Sequence, residues 1–260
     1  MRRLALILAF VGASLGLVTP PAHAEKLVLS LSTHRVAVTS SFVGADIVLF
    51  GTIEPDPPRA AMRSAYDIVV TVTGPRATLR TRRKERVLGV WVNVDSREFI
   101  RVPSYLAVLS NRPVAEIANA DTTRRLQLGL NQVILTQRIG ADFADTVPDD
   151  PFRVNFINLK KEAGQYRETS NGVTFLTPTV FRVAIPMPAD VATGNYTVEV
   201  KLFGGGTMIT RNNTAMEVIK TGFEQYVYEA AQHHGLFYGI VAAMMALFIG
   251  WAGSVVFRRD

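Results

Sequence analysis

The fold is indicated most clearly by the stretch GNYTVEVKLFGGG, residues 194–206. Val198, Val200 and Leu202 alternate with polar residues, which is the two-residue period of a strand with one buried face. The glycines that follow allow a tight turn, so we expect a hairpin with the next apolar segment. Tyr196, at the start of this strand, is typical of the corner tyrosine of immunoglobulin-like sandwiches. The stretch therefore predicts an antiparallel β-sandwich.

Similar segments, rich in Val, Ile, Leu and Thr and separated by Pro and Gly, occur in both halves of the chain. The predicted strands are 27–31, 46–53, 67–73, 87–94, 173–176, 180–185, 196–203 and 207–219. We predict a mainly β protein with one antiparallel immunoglobulin-like β-sandwich over residues 25–220. Two small β domains are the alternative, which we disfavour because neither half alone has enough strands to close a sandwich.

The middle of the chain, about 103–164, has a helical pattern instead. Asp150 followed by Pro151 is a strong helix start, because the carboxylate caps the helix and proline lacks only an N–H that has no partner there. Phe152 and Phe156 follow at helical spacing, and Gly164 ends the helix. Shorter helices are predicted over 121–130 and 104–109. We therefore expect a helical insertion in the sandwich.

The N-terminus has the three parts of a secretory signal peptide. Arg2 and Arg3 precede an apolar run, residues 4–18, and Ala22-His-Ala24 matches the small-x-small cleavage pattern. We expect cleavage after Ala24, so that the mature chain begins at Glu25. A retained membrane helix is the alternative, but the run is shorter than the roughly 20 residues that a span needs.

A second apolar segment, residues 236–257, contains no charged residue and is long enough to cross a bilayer as a helix. Arg258 and Arg259 follow it, so the positive-inside rule places the tail 258–260 in the cytoplasm and the large domain outside. Thr221 and Glu224 match a capping box. We therefore expect one unbroken helix that includes a juxtamembrane part, 221–235, and the span.

Composition limits the possible functions. The chain has no Cys, which excludes disulfides, thiol nucleophiles and thiolate metal sites. A net charge of +6 is too small to indicate a nucleic-acid partner. His34 is the only histidine between residues 25 and 220, and the sequence has no Gly-x-Ser-x-Gly elbow, phosphate loop or metal-ligand spacing. We expect no catalytic residue, no cofactor and no metal, and hence not an enzyme.

One cluster of basic residues stands out. Arg80, Arg82, Lys84 and Arg86 occupy alternate positions, so one face of a strand would be wholly basic, and Trp91 follows closely. Such a face could bind a small anion, an anionic lipid surface or an acidic partner. The alternative is a solvated strand edge whose charges prevent pairing with other edges.

The predicted membrane helix has a face of small residues. Ala242, Ala246, Gly250 and Ser254 lie at four-residue intervals, and small residues let another helix approach closely. Gly and Ala are also common in membrane helices that have no partner. The pattern favours a complex with another membrane protein or a homodimer, in addition to contact with the lipid bilayer.

The segment RRKERVLGVWVN, residues 82–93, followed by VPSY at 102–105 and SNRP at 110–113, resembles the alphaproteobacterial "putative transmembrane protein" family. The resemblance covers essentially the whole mature chain, including the order of its parts. It implies a single-pass inner-membrane protein with a periplasmic domain and no catalytic residues to transfer. It also implies an accessory role beside a permease. A periplasmic domain that binds or senses a small anion is the alternative.

Overall fold

The computed structural model describes residues 24–56, 65–139 and 142–256. Residues 1–23 of the predicted signal peptide and the basic C-terminal tail lie outside these residues. The strands are β1 (Ala24–Leu31), β2 (Arg35–Val38), β3 (Ala45–Asp56), β4 (Asp67–Thr73), β5 (Arg76–Val87), β6 (Val90–Pro103), β7 (Leu106–Ser110), β8 (Thr136–Ile139), β9 (Asp142–Asp145), β10 (Tyr166–Thr169), β11 (Val173–Phe175), β12 (Val180–Met187), β13 (Gly194–Gly204) and β14 (Thr207–Lys220). The helices are α1 (Val114–Ile117), α2 (Ala120–Arg125), α3 (Pro151–Glu162), α4 (Phe223–His233) and α5 (Gly235–Val256), with a 3-10 turn at Leu130–Gln132. The prediction of a mainly β protein is confirmed.

Two sheets face each other across one apolar core. The first has the order β1-β3-β12-β11 and the second β10-β7-β4-β13-β14-β2. Leu49 and Phe181 from the first sheet and Val70 and Val198 from the second belong to the same buried cluster. The hydroxyl of Tyr196 donates to the carbonyl of Ala192 at 2.7 Å, which ties the start of β13 to the preceding loop. The immunoglobulin-like topology stays a prediction.

The pairing is not wholly antiparallel, which corrects one expectation. β2 pairs with β14, and β10 with β7, in the parallel direction. Each of these two strands is a four-residue strand at the edge of the second sheet. Sequence alternation indicates which face of a strand is buried, but it contains no information on the direction of the neighbouring strand.

The second sheet is buried on both faces. Val69, Val108 and Phe203 point away from the sandwich core and form a second cluster with Phe99 and Phe156. Much of the middle of the chain therefore covers the outer face of this sheet.

Helix α3 is confirmed, with the cap that the sequence predicts. The Asp150 carboxylate accepts from the N–H groups of Phe152 and Arg153 at 2.8 and 3.3 Å, and Pro151 occupies the first turn. Gly164 follows the helix in a left-handed conformation, φ +69°, as expected for a glycine stop.

The predicted helical insertion, 103–164, is wrong in part. Residues 104–109, predicted as a short helix, instead contain most of β7, in which every residue is buried. A strand in a sheet covered on both sides is continuously apolar, and such a run cannot be distinguished from a helix by its period. β8 and β9 also lie within the segment, in a third sheet with the order β5-β6-β8-β9.

The predicted strand 87–94 is also wrong, because the chain reverses within it. Leu88 and Gly89 have φ values of +49° and +87° and form the two-residue turn between β5 and β6. Positive φ at both central positions matches a type I′ hairpin turn. The turn has no Asn and has apolar residues on both sides, so its sequence matches that of a continuous strand.

The β5–β6 hairpin continues a ladder that begins inside the second sheet. β4 pairs with β7 and β5 pairs with β6. Two backbone hydrogen bonds join the ladders, from Gly74 N–H to the Tyr105 carbonyl and from Ser104 N–H to the Pro75 carbonyl, both 2.8 Å. Residues 67–110 thus form one long two-stranded ribbon, whose root lies in the second sheet.

The C-terminal helix is in two pieces, which corrects two predictions. Thr221 is not the cap residue of a helix; its N–H donates to the Val38 carbonyl at 2.8 Å and extends the β14–β2 pairing. Gly222 occupies the cap position of α4 without a side-chain cap. His234 is non-helical, with φ −133° and ψ 46°, and separates α4 from α5.

Candidate functional site

The ribbon brings the predicted basic residues and Trp91 onto one face. Along β5, alternate residues share a face with their partners on β6. The pairs on this face are Arg82 opposite Ser96, Lys84 opposite Asn93, and Arg86 opposite Trp91. We call residues 82–96 the outer hairpin; all of them are exposed, on both faces.

The charges of this face are only partly compensated. Arg80 lies 3.3 Å from the Glu98 carboxylate, in an ion pair at the inner end of the face. Arg86 donates from Nε to the Gly89 carbonyl at 3.3 Å, which braces the turn without neutralising charge. Within the described residues, Arg82 and Lys84 make no ion pair. Three positive charges of the predicted patch therefore face solvent without a carboxylate.

The tip of the outer hairpin is apolar. The side chains of Val87, Leu88, Val90 and Trp91 are 48, 99, 64 and 66 % exposed. Leu88 holds a left-handed backbone conformation, which costs a residue other than glycine about 1 kcal/mol. Several large apolar side chains at one exposed tip mark a surface that contacts something apolar.

The base of the hairpin is anchored to α3. Arg97 donates to the Gln137 amide oxygen at 2.6 Å, lies 3.7 Å from the Asp150 carboxylate and stacks over Phe152 at 5.2 Å. Phe99 is fully buried against Phe156, with ring centroids 5.0 Å apart. The outer hairpin therefore projects from a fixed base.

Sequence reasoning missed a groove of about 530 Å³ on the outer face of the second sheet. Glu199 is the one acidic residue among the described residues that line it. The basic lining residues are Arg76, Arg101, Arg125, Lys201 and Arg211. Lys201 is buried and paired with Glu199, and Arg211 lies 3.7 Å from the same carboxylate. The hydroxyl of Thr71, which also lines the groove, is buried without a hydrogen-bond partner in the described part of the chain.

The groove gathers residues from distant parts of the chain. They come from β4, β5, β6, β7, α2, β8, β13 and β14 and from the loop after α2. One feature of the sequence could have indicated the groove. Glu199 and Lys201 alternate with the apolar residues of β13, which places two charges on the side of the strand away from the sandwich core.

The small residues of α5 lie as predicted, at one-turn intervals along the helix. Ala242, Ala246, Gly250 and Ser254 are all in α5, whose residues 235–254 are long and apolar enough to cross a membrane. None of that stretch is buried against the rest of the described chain. A Cβ added at Gly250 would meet no atom within 4 Å. Any close approach at this face would come from a neighbour outside the described residues.

The titratable groups whose pKa values are shifted lie outside both the outer hairpin and the groove. Burial raises the pKa of the Tyr105 and Tyr166 hydroxyls above their usual range, and that of Tyr196 to about 12.

Among the described residues, no three His, Asp or Glu side chains are grouped to hold a metal ion. His34 is exposed in the turn between β1 and β2.

These features define a membrane-anchored, β-rich protein in which one C-terminal helix is suited to span the bilayer. The chain belongs to the family described as "Putative transmembrane protein (Alph_Pro_TM)", whose profile matches residues 26–259. The resemblance seen in the sequence is thereby confirmed.

Other comparisons add little. No curated protein matches the chain. Among solved structures, it is similar to the N-terminal domain of the Streptococcus gordonii adhesin Sgo0707, at 8 % identity and a TM-score of 0.27. The match covers 75 % of this chain and 32 % of that one, so this chain spans about a third of that structure. Similarity at this level carries no argument about fold or function.

Proposed function

We propose that this protein is a non-enzymatic, single-pass membrane protein that acts as an accessory module for another membrane protein, in the first instance a transporter. The observation that carries the proposal is α5, a 22-residue apolar helix whose small-residue face has no neighbour in the described chain. Ala242, Ala246, Gly250 and Ser254 would dock a helix of the partner, because small side chains allow close backbone approach.

The proposed location is the inner membrane, with the β domain in the periplasm and the C-terminus in the cytoplasm. Three sequence features support it: the signal-like N-terminus, Arg258 and Arg259 directly after the apolar segment, and the absence of Lys and Arg from residues 221–235.

The test is co-purification of the full chain from native membranes in mild detergent, followed by mass spectrometry. We expect a stoichiometric membrane protein that is lost in the Ala246→Leu/Gly250→Leu variant. Ala252→Leu is the matched control for Ala246→Leu, because it makes the same substitution about 120° around the helix. Unchanged co-purification of the double variant would contradict the docking role of this face, and so would equal loss in the control.

A second candidate function is the binding of a small oxyanion, and the basic groove favours it. Arg125 is the groove residue to test, because Arg124 beside it does not line the groove and provides a control. We expect sulfate, sulfite or phosphate to raise the melting temperature of the wild type and of Arg124→Gln, but not of Arg125→Gln. The same experiment with Arg82→Ala distinguishes the two sites: loss of the shift in Arg125→Gln assigns the anion to the groove, and loss in Arg82→Ala assigns it to the hairpin. No shift with any of these anions would remove this candidate.

A further inference from the structure

We propose that the outer hairpin inserts its apolar tip into the bilayer that α5 crosses, with Arg82, Lys84 and Arg86 on anionic lipid headgroups. The protein would then contact its membrane at two places, the helix and the hairpin. This inference needs no protein partner and so goes beyond the accessory role.

The hairpin and the membrane helix leave the second sheet at the same end of its strands. Thr73, where the ribbon leaves the sheet, lies opposite Thr197 on β13. Gly194, the first residue of that strand, lies opposite Val218, two residues before β14 ends at Lys220. The C-terminal end of β14, which continues into α4 and α5, is thus at the end of the sheet from which the hairpin projects.

The lengths agree as well. The ribbon bends at a bulge where Arg101 has a positive φ, +52°, so only the part beyond Leu79 is compared. From residue 79 to residue 88 an extended strand spans about 30 Å. From Lys220 to Gly235 the chain spans about 32 Å when it is straight, because only residues 223–233 are helical. The two lengths are similar, so a hairpin that runs beside this segment reaches the surface of the membrane.

The order of side chains along the hairpin suits a membrane interface. Leu88 and its neighbours form the apolar end, Trp91 and Arg86 come next, opposite each other, and Lys84 and Arg82 lie behind them toward the base. Tryptophan favours the headgroup region, and basic residues behind an apolar edge are attracted to anionic lipid. Leu88 also sits in a turn position for which Asn or Gly is better suited, so its apolar side chain stabilises something other than the turn.

The shape of the hairpin favours a surface over a dissolved ligand. Both faces of residues 82–96 are exposed, so the two strands alone do not enclose a small anion. At the base of the hairpin, Arg82 and Lys84 do line a cleft of about 480 Å³ beside α3. The carboxylates of Asp95 and Asp150 line the same cleft and disfavour an anion there. A flat ribbon with an apolar end can enter a lipid surface without rearrangement.

The experiment uses the full chain with Trp251→Phe, so that Trp91 is the single tryptophan. It is reconstituted in discs of phosphatidylglycerol or phosphatidylcholine. In phosphatidylglycerol discs we expect blue-shifted Trp91 emission, quenching by brominated lipid, and protection from aqueous acrylamide. Emission that stays as in water in both discs would overturn the proposal. Protection seen only in native membranes, not in discs, would assign the hairpin to a protein partner and overturn it too.

Two variants test the two parts of the hairpin. Leu88→Asn suits the turn and should keep the near-UV circular dichroism of the core tyrosines while abolishing quenching by brominated lipid. Leu176→Asn, an exposed leucine in the turn before β12, is the control and should leave quenching unchanged. In Arg82→Gln/Lys84→Gln/Arg86→Gln, each lost charge should lower the ratio of inserted to free hairpin about fivefold. Full quenching in Leu88→Asn would refute insertion.

Discussion

Gly51→Ala tests how the first sheet packs against the sandwich core. Gly51 on β3 lies directly opposite Phe181 on β12, and the Phe181 ring covers it. A Cβ at position 51 would lie 2.0 Å from Cζ of that ring and 2.5 and 2.7 Å from Cε1 and Cε2. Because Phe181 is fully buried and Phe175 packs on it with centroids 6.2 Å apart, the ring has no free space to enter.

The expected magnitude follows from two opposing effects. Overpacking a buried site costs about 1–3 kcal/mol. Replacing glycine by alanine in an extended segment stabilises by about 0.4–1 kcal/mol, because the unfolded chain loses freedom. Since the overlap is with the rigid ring of Phe181, we expect Gly51→Ala to lower the free energy of unfolding by about 2 kcal/mol.

A double-mutant cycle with Phe181→Leu isolates the contact. Leucine lacks the Cε and Cζ atoms that the new methyl group at position 51 would meet, so the cost of Gly51→Ala should fall by at least about 1 kcal/mol in that background. Unfolding is best followed by near-UV circular dichroism of the buried tyrosines, because Trp91 and Trp251 are both exposed and report little on the core. An equal cost of Gly51→Ala in both backgrounds would refute the steric reasoning.

Two ionisable side chains allow pH-dependent predictions. Burial alone would raise the pKa of Asp67, but hydrogen bonds from Arg112 and Asn111 outweigh it and hold the pKa below its usual value. Asp67→Asn should therefore cost about 1–3 kcal/mol at neutral pH, and this difference should shrink as pH falls through the folded-state pKa; a difference that persists in strong acid would contradict the linkage. Burial raises the pKa of Tyr196 from 10 to about 12, so its neutral form contributes stability below pH 10 that is lost as pH rises toward 12. Tyr196→Phe should lose about 1 kcal/mol at neutral pH with the bond to Ala192 and show a shallower alkaline decline in melting temperature; an unchanged alkaline slope would count against this assignment.

Several elements could be predicted because their signals are local. The period of two in β13, the Asp150-Pro151 helix start and the uncharged C-terminal segment each act within a few residues. The sequence of the basic patch also predicted its shared face, since alternation along one strand does not depend on the rest of the fold.

The groove could not be predicted from the sequence, because it depends on contacts between residues far apart in the chain. The groove joins Thr71 of β4 to Arg125 of α2 and Lys201 of β13, and these residues meet only once the second sheet has formed. The turn at Leu88 and Gly89 was also missed, because the apolar residues around it match a continuous strand.

The β character of the chain, its apolar C-terminal helix and its family could all be inferred from the order of residues alone. Three features appear only in the folded protein: the second sheet is buried on both faces, each of its edge strands runs parallel to its neighbour, and the hairpin and the membrane helix leave at the same end of the strands. The physical reason is that a hydrophobic pattern specifies which side chains avoid water, whereas register and strand direction are set by long-range pairing between segments far apart in the chain.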